Sequence, residues 1–317
     1  VVALAAIQWK DVVYGPRARN PTARRAGVEA AVTEFCPKRP SSCIALLLAA
    51  GAVLAPALAS AQTPAPLAEW QFSAGIPLQK LFEEEIPVWQ VRVGAAAMVR
   101  PRYDGSSEYI VLGGPSIDIR YRDLAFASVG EGLGVNLLRG KNWRAGIALS
   151  YNLGRRAKED SPHLDGMGNI NPAPEGKLFA EYAVSKEFPL VLRIDARRSL
   201  GGSDGWVGDI GAYMPLPGSS EKFFWFAGPT VTLADSRYMN AWYGVSAAQA
   251  RAGRPQYQAS GGIKSYGFGV TSVWYFAKHW FASSDVAISQ LAGDAADSPI
   301  TRKRTNAVFD LSVNYEF

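Results

Sequence analysis

Cysteine and histidine are nearly missing from this chain: 317 residues hold two of each. Cys36 and Cys43 both precede a segment read below as cleaved, which excludes disulfides and cysteine metal sites from the working protein. A hydrolase that activates serine through histidine has little to work with. His163 lies in a polar loop beside Asp165, and His279 opens a strand beside Trp280, both ordinary positions for a surface or interfacial residue. No catalytic residue, cofactor site or metal ligand is expected, and the chain is read as a non-enzyme. Asp294 and Asp297 with Ser298 could make a weak Ca²⁺ site, but an Asx-type turn before Pro299 explains them equally well.

A membrane-spanning helix is also missing. The apolar run Ile44 to Leu58 has 15 residues and contains Pro56, where a spanning helix needs about 20. Lys38 and Arg39 precede it and Ala59-Ser60-Ala61 follow, the pattern of a secretory signal peptide cleaved after Ala61. The expected organisation is an upstream extension (1–37), a signal peptide (38–61), a periplasmic lead-in (62–87) and a folded body (88–317). Charge of one sign is lacking too. Seven of the 33 Lys/Arg and three of the 28 Asp/Glu lie in residues 1–61, leaving 26 basic against 25 acidic residues. A nucleic-acid partner, which needs a concentrated basic surface, is not expected.

What is abundant is alternation with period two. The last stretch, Thr305 to Phe317, puts Ala307, Phe309, Leu311, Val313, Tyr315 and Phe317 on one face and Asn306, Asp310, Ser312, Asn314 and Glu316 on the other. A strand so apolar on one side fits a closed sheet with lipid outside and a polar lumen inside. The pattern recurs from Trp89 to Val99, around Ile117 to Tyr121, in two short pieces (124–129 and 133–138), and over 143–153, 177–186, 190–199, 206–214, 223–233, 263–276 and 279–290. Phe224 and Phe226 break the alternation in the ninth. The fold class is therefore all-β: a single antiparallel transmembrane β-barrel of about 12 strands with periplasmic N- and C-termini. Connections then alternate between short inner turns and long outer loops, except for a short outer turn at Gly130-Glu131-Gly132. Trp89, Tyr121, Trp143, Trp206, Trp280 and Tyr315 stand near strand ends, where amphipathic rings meet headgroups.

Inward positions carry Arg92, Asp118, Arg120, Glu181, Arg193, Asp195, Arg197, Asp209, Asp285 and Asp310. Mixed signs in a narrow lumen point to ion pairs across it; a constricted pore for small polar solutes is the other reading.

Four stretches resemble the MipA/OmpV outer-membrane family: Pro101-x-Tyr103-x-Gly105-Ser106-Ser107-x-Tyr109, Gly130-Glu131-Gly132-Leu133-Gly134-Val135-Asn136-Leu137, Trp242-Tyr243-Gly244-Val245-Ser246, and the ten residues Leu291 to Ile300. The resemblance implies a location in the bacterial outer membrane and a scaffold that links a lytic transglycosylase and a penicillin-binding protein in murein turnover. For other members it implies a role in adhesion or antibiotic sensitivity. The remaining expected partners are outer-membrane lipids and the barrel-assembly machinery, which reads a terminal aromatic signal, here Tyr315 and Phe317.

Overall fold

The computed structural model describes residues 86–317 apart from 221. The expected extension (1–37), the signal peptide (38–61) and the lead-in (62–87) except its last two residues lie outside the described residues.

Twelve antiparallel strands close on themselves. They are β1 (Trp89–Pro101), β2 (Tyr109–Tyr121), β3 (Ala125–Ser128), β4 (Gly132–Arg139), β5 (Trp143–Asn152), β6 (Ala173–Ala183), β7 (Val191–Ser199), β8 (Trp206–Pro215), β9 (Phe223–Ala234), β10 (Gly262–Tyr275), β11 (Trp280–Leu291) and β12 (Thr305–Glu316). Each strand pairs with its neighbours in sequence. The seam joins β1 to β12, with Arg92 opposite Glu316 and Val99 opposite Phe309. No described helix is long and apolar enough to cross a membrane; the strands cross it. Short helices α1 (Ser161–Leu164), α2 (Ser236–Tyr243) and α3 (Gly293–Ala296) all lie in the loops opposite the termini.

The wall is inverted relative to a water-soluble protein. On β12, Phe309, Leu311 and Val313 are exposed while Asp310, Ser312 and Asn314 are buried. An apolar exterior costs little only where hydrocarbon replaces water. Two serines on this exterior, Ser272 and Ser284, satisfy each other with Oγ atoms 2.9 Å apart. Trp89, Tyr121, Trp143, Trp280 and Tyr315 sit at the terminal end of the barrel, where Trp89 and Tyr121 rings lie 4.8 Å apart. Trp206 belongs to the opposite rim.

Two elements differ from the sequence-based expectation, and a third keeps the faces that its broken alternation gave it. β6 starts at Ala173 instead of 177, because Ala173 and Glu175 continue the inward face despite Pro174. β2 runs up to Tyr109, eight residues beyond the alternation that marks it. Phe224 and Phe226 turn inward on β9, where Phe226 is buried against Ala183, Val191 and Tyr213 and Phe224 packs on that group.

The β3–β4 turn depends on glycine. Gly132 has φ +90°, and a Cβ there would lie 2.2 Å from the Leu149 carbonyl oxygen; a Cβ on Gly134 would lie 2.3 Å from the Phe126 ring. Only glycine lets β4 close on β5 over that ring.

Candidate functional site in the barrel lumen

The ten charged side chains expected inside all stand on inward positions, and all but the half-buried Arg92 are buried. Many of them pair along the wall, within a strand or between adjacent strands. Neighbouring strands lie only about 4.8 Å apart, so each guanidinium finds a carboxylate on its own strand or the adjacent one.

One chain of pairs surrounds the seam. Arg120 on β2 bonds Asp118 at 3.0 Å and Glu131 at 2.8 Å. Arg92 on β1 lies 3.5 Å from the same Asp118 and 3.1 Å from Glu316. Tyr275 Oη donates to Glu316 at 3.2 Å. A second chain climbs the opposite wall. Arg144 on β5 bonds Glu181 at 2.6 Å, Arg193 reaches Glu181 at 3.1 Å, and Arg197 reaches Asp195 at 3.2 Å and pairs with Asp209. Asp209 also accepts from Thr232 at 2.5 Å. Asp285 accepts from the Thr271 hydroxyl and faces Asp310 in register across β11 and β12.

Sequence reasoning did not assign Glu131 and Arg144 to the lumen. Arg144 was within reach, since it alternates with the outward Trp143. Glu131 was not, because a turn residue has no parity. The guanidinia that meet Glu131 and Glu181 also cover rings, Arg120 over Phe126 at 5.4 Å and Arg144 over Phe179 at 5.7 Å.

An apolar layer lines the terminal end of the lumen. Ala183, Val191, Tyr213 and Phe226 are buried together, Phe224 and Tyr275 rings lie 6.5 Å apart, and Tyr275 and Phe281 rings 5.2 Å apart.

The outer loops interlock over the other end. Tyr103 Oη donates to the Ile300 carbonyl at 2.9 Å, Ser106 Oγ to Asp160 at 3.0 Å, and Ser298 Oγ to the Tyr243 carbonyl at 2.6 Å. Arg155 donates to the Trp242 carbonyl at 2.5 Å with its guanidinium over the Tyr103 and Trp242 rings. Arg254 reaches back to the carbonyls of His163 and Asp165 at 3.0 and 2.9 Å. Burial pushes the Tyr103 and Tyr238 phenols up to about 12 and Tyr243 higher still. Lys264, 2.6 Å away, holds the Asp104 carboxyl below its ordinary value.

The acidic outer loop is occupied by structural bonds. Asp294 accepts from the Ser260 N–H at 2.6 Å, Asp297 from Arg304 at 2.7 Å, and Ser298 Oγ accepts from the Ile300 N–H at 3.4 Å. Among the described residues no three His, Cys, Asp or Glu side chains are grouped to hold a metal. His163 Nδ1 lies 2.7 Å from Asp160, and His279 Nδ1 lies 2.9 Å from the Glu316 carbonyl.

Residues 93–317, nearly the whole barrel, match the family model described as MltA-interacting protein MipA. The chain belongs to that family. The MipA match and the closed 12-strand wall place it in the outer membrane. Solved barrels are similar in fold at low identity. The CymD monoaromatic hydrocarbon channel is 10% identical, with a TM-score of 0.37 over 77% of this chain and 93% of that one. The Pseudomonas putida toluene transporter TodX is 9% identical, with 0.36 over 80% and 98%. The NanC porin is 8% identical, with 0.34 over 72% and 100%. No curated protein matches the chain.

Proposed function

We propose that this MipA-family barrel is a non-enzymatic, non-conducting scaffold that holds murein-processing enzymes at the periplasmic face of the outer membrane. The observation that carries the reading is the paired lining of the lumen. Its charges pair between adjacent strands, the layer of Tyr213, Phe224, Phe226, Tyr275 and Phe281 stands at one end, and the interlocked loops lie over the other, an arrangement that supports a filled interior. A channel would instead keep a continuous water path lined by a consistent sign of charge.

The family description supports an MltA-type partner. The earlier resemblance adds a lytic transglycosylase and a penicillin-binding protein. Periplasmic turns such as 140–142 and 276–279 are short. A stable interface takes about 800 Å² from each partner, so the lead-in (62–87) supplies most of the contact. Tyr315 and Phe317, stacked edge to face at 4.9 Å beside the seam, serve as the assembly signal.

Two measurements test the reading. Planar-bilayer recording of the refolded chain should show no stable conductance; a steady open channel would overturn the sealed lumen. Deleting 62–87 from a barrel that still inserts should abolish co-purification of the transglycosylase, and unchanged co-purification would remove the lead-in from the interface.

A further inference from the structure

The barrel wall is not of uniform height. β2 carries 13 residues, whereas β3 carries four and β4 eight. At about 3.4 Å per residue and a tilt near 45°, these two strands stop roughly 10–20 Å below their neighbour, inside an apolar band about 25 Å tall. β3 pairs with β2 only over Asp118–Tyr121, and the β4–β5 ladder begins at Leu133 and Leu149. Above that level no described strand lies between the upper part of β2 and Ser150–Asn152 of β5. The outer half of the wall therefore has a notch two strands wide.

The chain at the notch is built for hydrocarbon. Ile110 to Pro115 reads I-V-L-G-G-P, apolar on both faces, which hides it from any search for alternation. Val111 is 72% exposed and Leu133 65% exposed. The inward Ile110, Leu112 and Gly114 are only half-buried, and a Cβ built on Gly114 meets nothing within 4 Å. The last bond across to β3 is Val129 N–H to the Ile117 carbonyl at 3.0 Å. By the two-residue alternation of an antiparallel ladder, Val111, Gly113 and Pro115 turn their main-chain groups toward the notch, and proline there leaves no N–H unpaired. The floor turn hides its own polar groups. The N–H groups of Gly130 and Glu131 donate to Ser128 Oγ at 3.3 and 3.4 Å, and the Glu131 carboxylate points inside to Arg120. A turn so constructed suits a place without water.

A second copy of the chain is a poor occupant. Two copies inserted the same way would bring their β2 strands together parallel and crossed by twice the tilt, which forms no ladder. The other side of the notch is membrane; the loop leaving β5 carries the exposed Arg156 and Lys158, and its Asp160 is bonded to Ser106, two residues before the exposed Glu108 that leads into β2. We propose that the notch is a lateral port that seats an acyl chain of an outer-leaflet lipid, with the anionic head of that lipid held at Arg156 and Lys158. The chain lies along Val111, Gly113 and Leu133 and reaches inward to Leu112 and Gly114. This site is independent of the scaffold reading.

A photoreactive benzophenone side chain tests it. The full chain is reconstituted in phosphatidylethanolamine vesicles with and without lipid A, with the probe at Leu112, at the outward Val111, or at the inward Ser312. In an unbroken wall Leu112 and Ser312 would both be shielded from lipid. The expected result is lipid adducts at Leu112 comparable to those at Val111, and none at Ser312. Replacing Arg156 and Lys158 with Gln should lower the lipid A adduct roughly fivefold for each cation removed and leave the phosphatidylethanolamine adduct unchanged. Labelling at Val111 without lipid adducts at Leu112, or cross-linking of Leu112 to another protein, overturns the port. If the Leu112 variant does not fold, Gly114→Trp gives a second reading. Lipids brominated along the chain should quench the added indole, and no added quenching overturns the proposal.

Discussion

Tyr103 and Ile300, 197 positions apart, are joined by a hydrogen bond in which the phenol donates to the carbonyl at 2.9 Å. Ser298 joins the same knot to Tyr243. Three stretches that look unrelated in the sequence thus meet in one cap. Tyr103→Phe removes the bond and leaves a buried carbonyl unpartnered, a cost of about 1–3 kcal/mol. Limited proteolysis should cut residues 292–304 faster in the variant, while the barrel keeps its slow, heat-sensitive gel mobility. Unchanged cleavage would show that the cap does not depend on this contact.

The cap should also loosen in alkali before the wall does. Tyr103 and Tyr238 are raised to about 12, against about 10 in an unfolded chain. Between those values the folded state holds the proton more tightly, so their contribution to stability is full below about pH 10 and is lost as pH rises toward 12. Tyrosinate absorbance should show late-titrating phenols, and outer-loop proteolysis should accelerate over the same interval. Phenols that all titrate near 10 would contradict the burial.

Arg193 separates the sealed lumen from a selective pore. Its guanidinium contacts Glu181 at 3.1 Å and Asp195 at 3.7 Å, all three buried. Arg193→Gln leaves buried carboxylates short of a cation and should cost about 3 kcal/mol. The expected outcome is a lower unfolding temperature with no conductance in either protein. A conducting parent whose reversal potential moves toward cations in the variant would favour the pore.

Arg155 holds the cap through the Trp242 carbonyl and two rings. Its guanidinium lies 5.9 Å from the Tyr103 and Trp242 ring centroids, and burial lowers its pKa. A desolvated cation–π contact is worth about 2 kcal/mol, and lysine cannot reproduce a planar group between two rings. Arg155→Lys should therefore open the outer loops to protease much as Arg155→Ala does, at low and at molar salt alike. Full rescue by lysine, or by low salt, would assign the contact to simple charge.

The wall was legible wherever one face met lipid and the other met charge, as on β12, where Phe309 and Asp310 mark opposite sides. It was not legible on upper β2, because Ile110 to Pro115 is apolar on both faces and period two vanishes. Phe224 and Phe226 look like errors of pattern until Tyr213 and Ala183 are seen beside them. Parity also said nothing of partners. That Glu181 meets Arg144 and Arg193 on flanking strands follows from register, and register depends on where β6 begins. The cap was legible only as unexplained short motifs, since its bonds link loops far apart in the chain.

The pair of Arg92 and Glu316 differs from the other lumen pairs in when it can form. Arg120 and Glu131 are 11 positions apart, Arg197 and Asp209 12, and Arg144 and Glu181 37, so each of these forms as its own hairpin or strand pair is laid down. Arg92 and Glu316 are 224 apart. They meet only when the first and last strands come together, and only in the register that sets them opposite each other, since a slip of one residue turns one of them out toward lipid. The contact is thus a clasp on the finished ring. A growing sheet carries Arg92, with Asp118 beside it, near one end and Glu316 near the other, and brings the two together in the step that completes the wall.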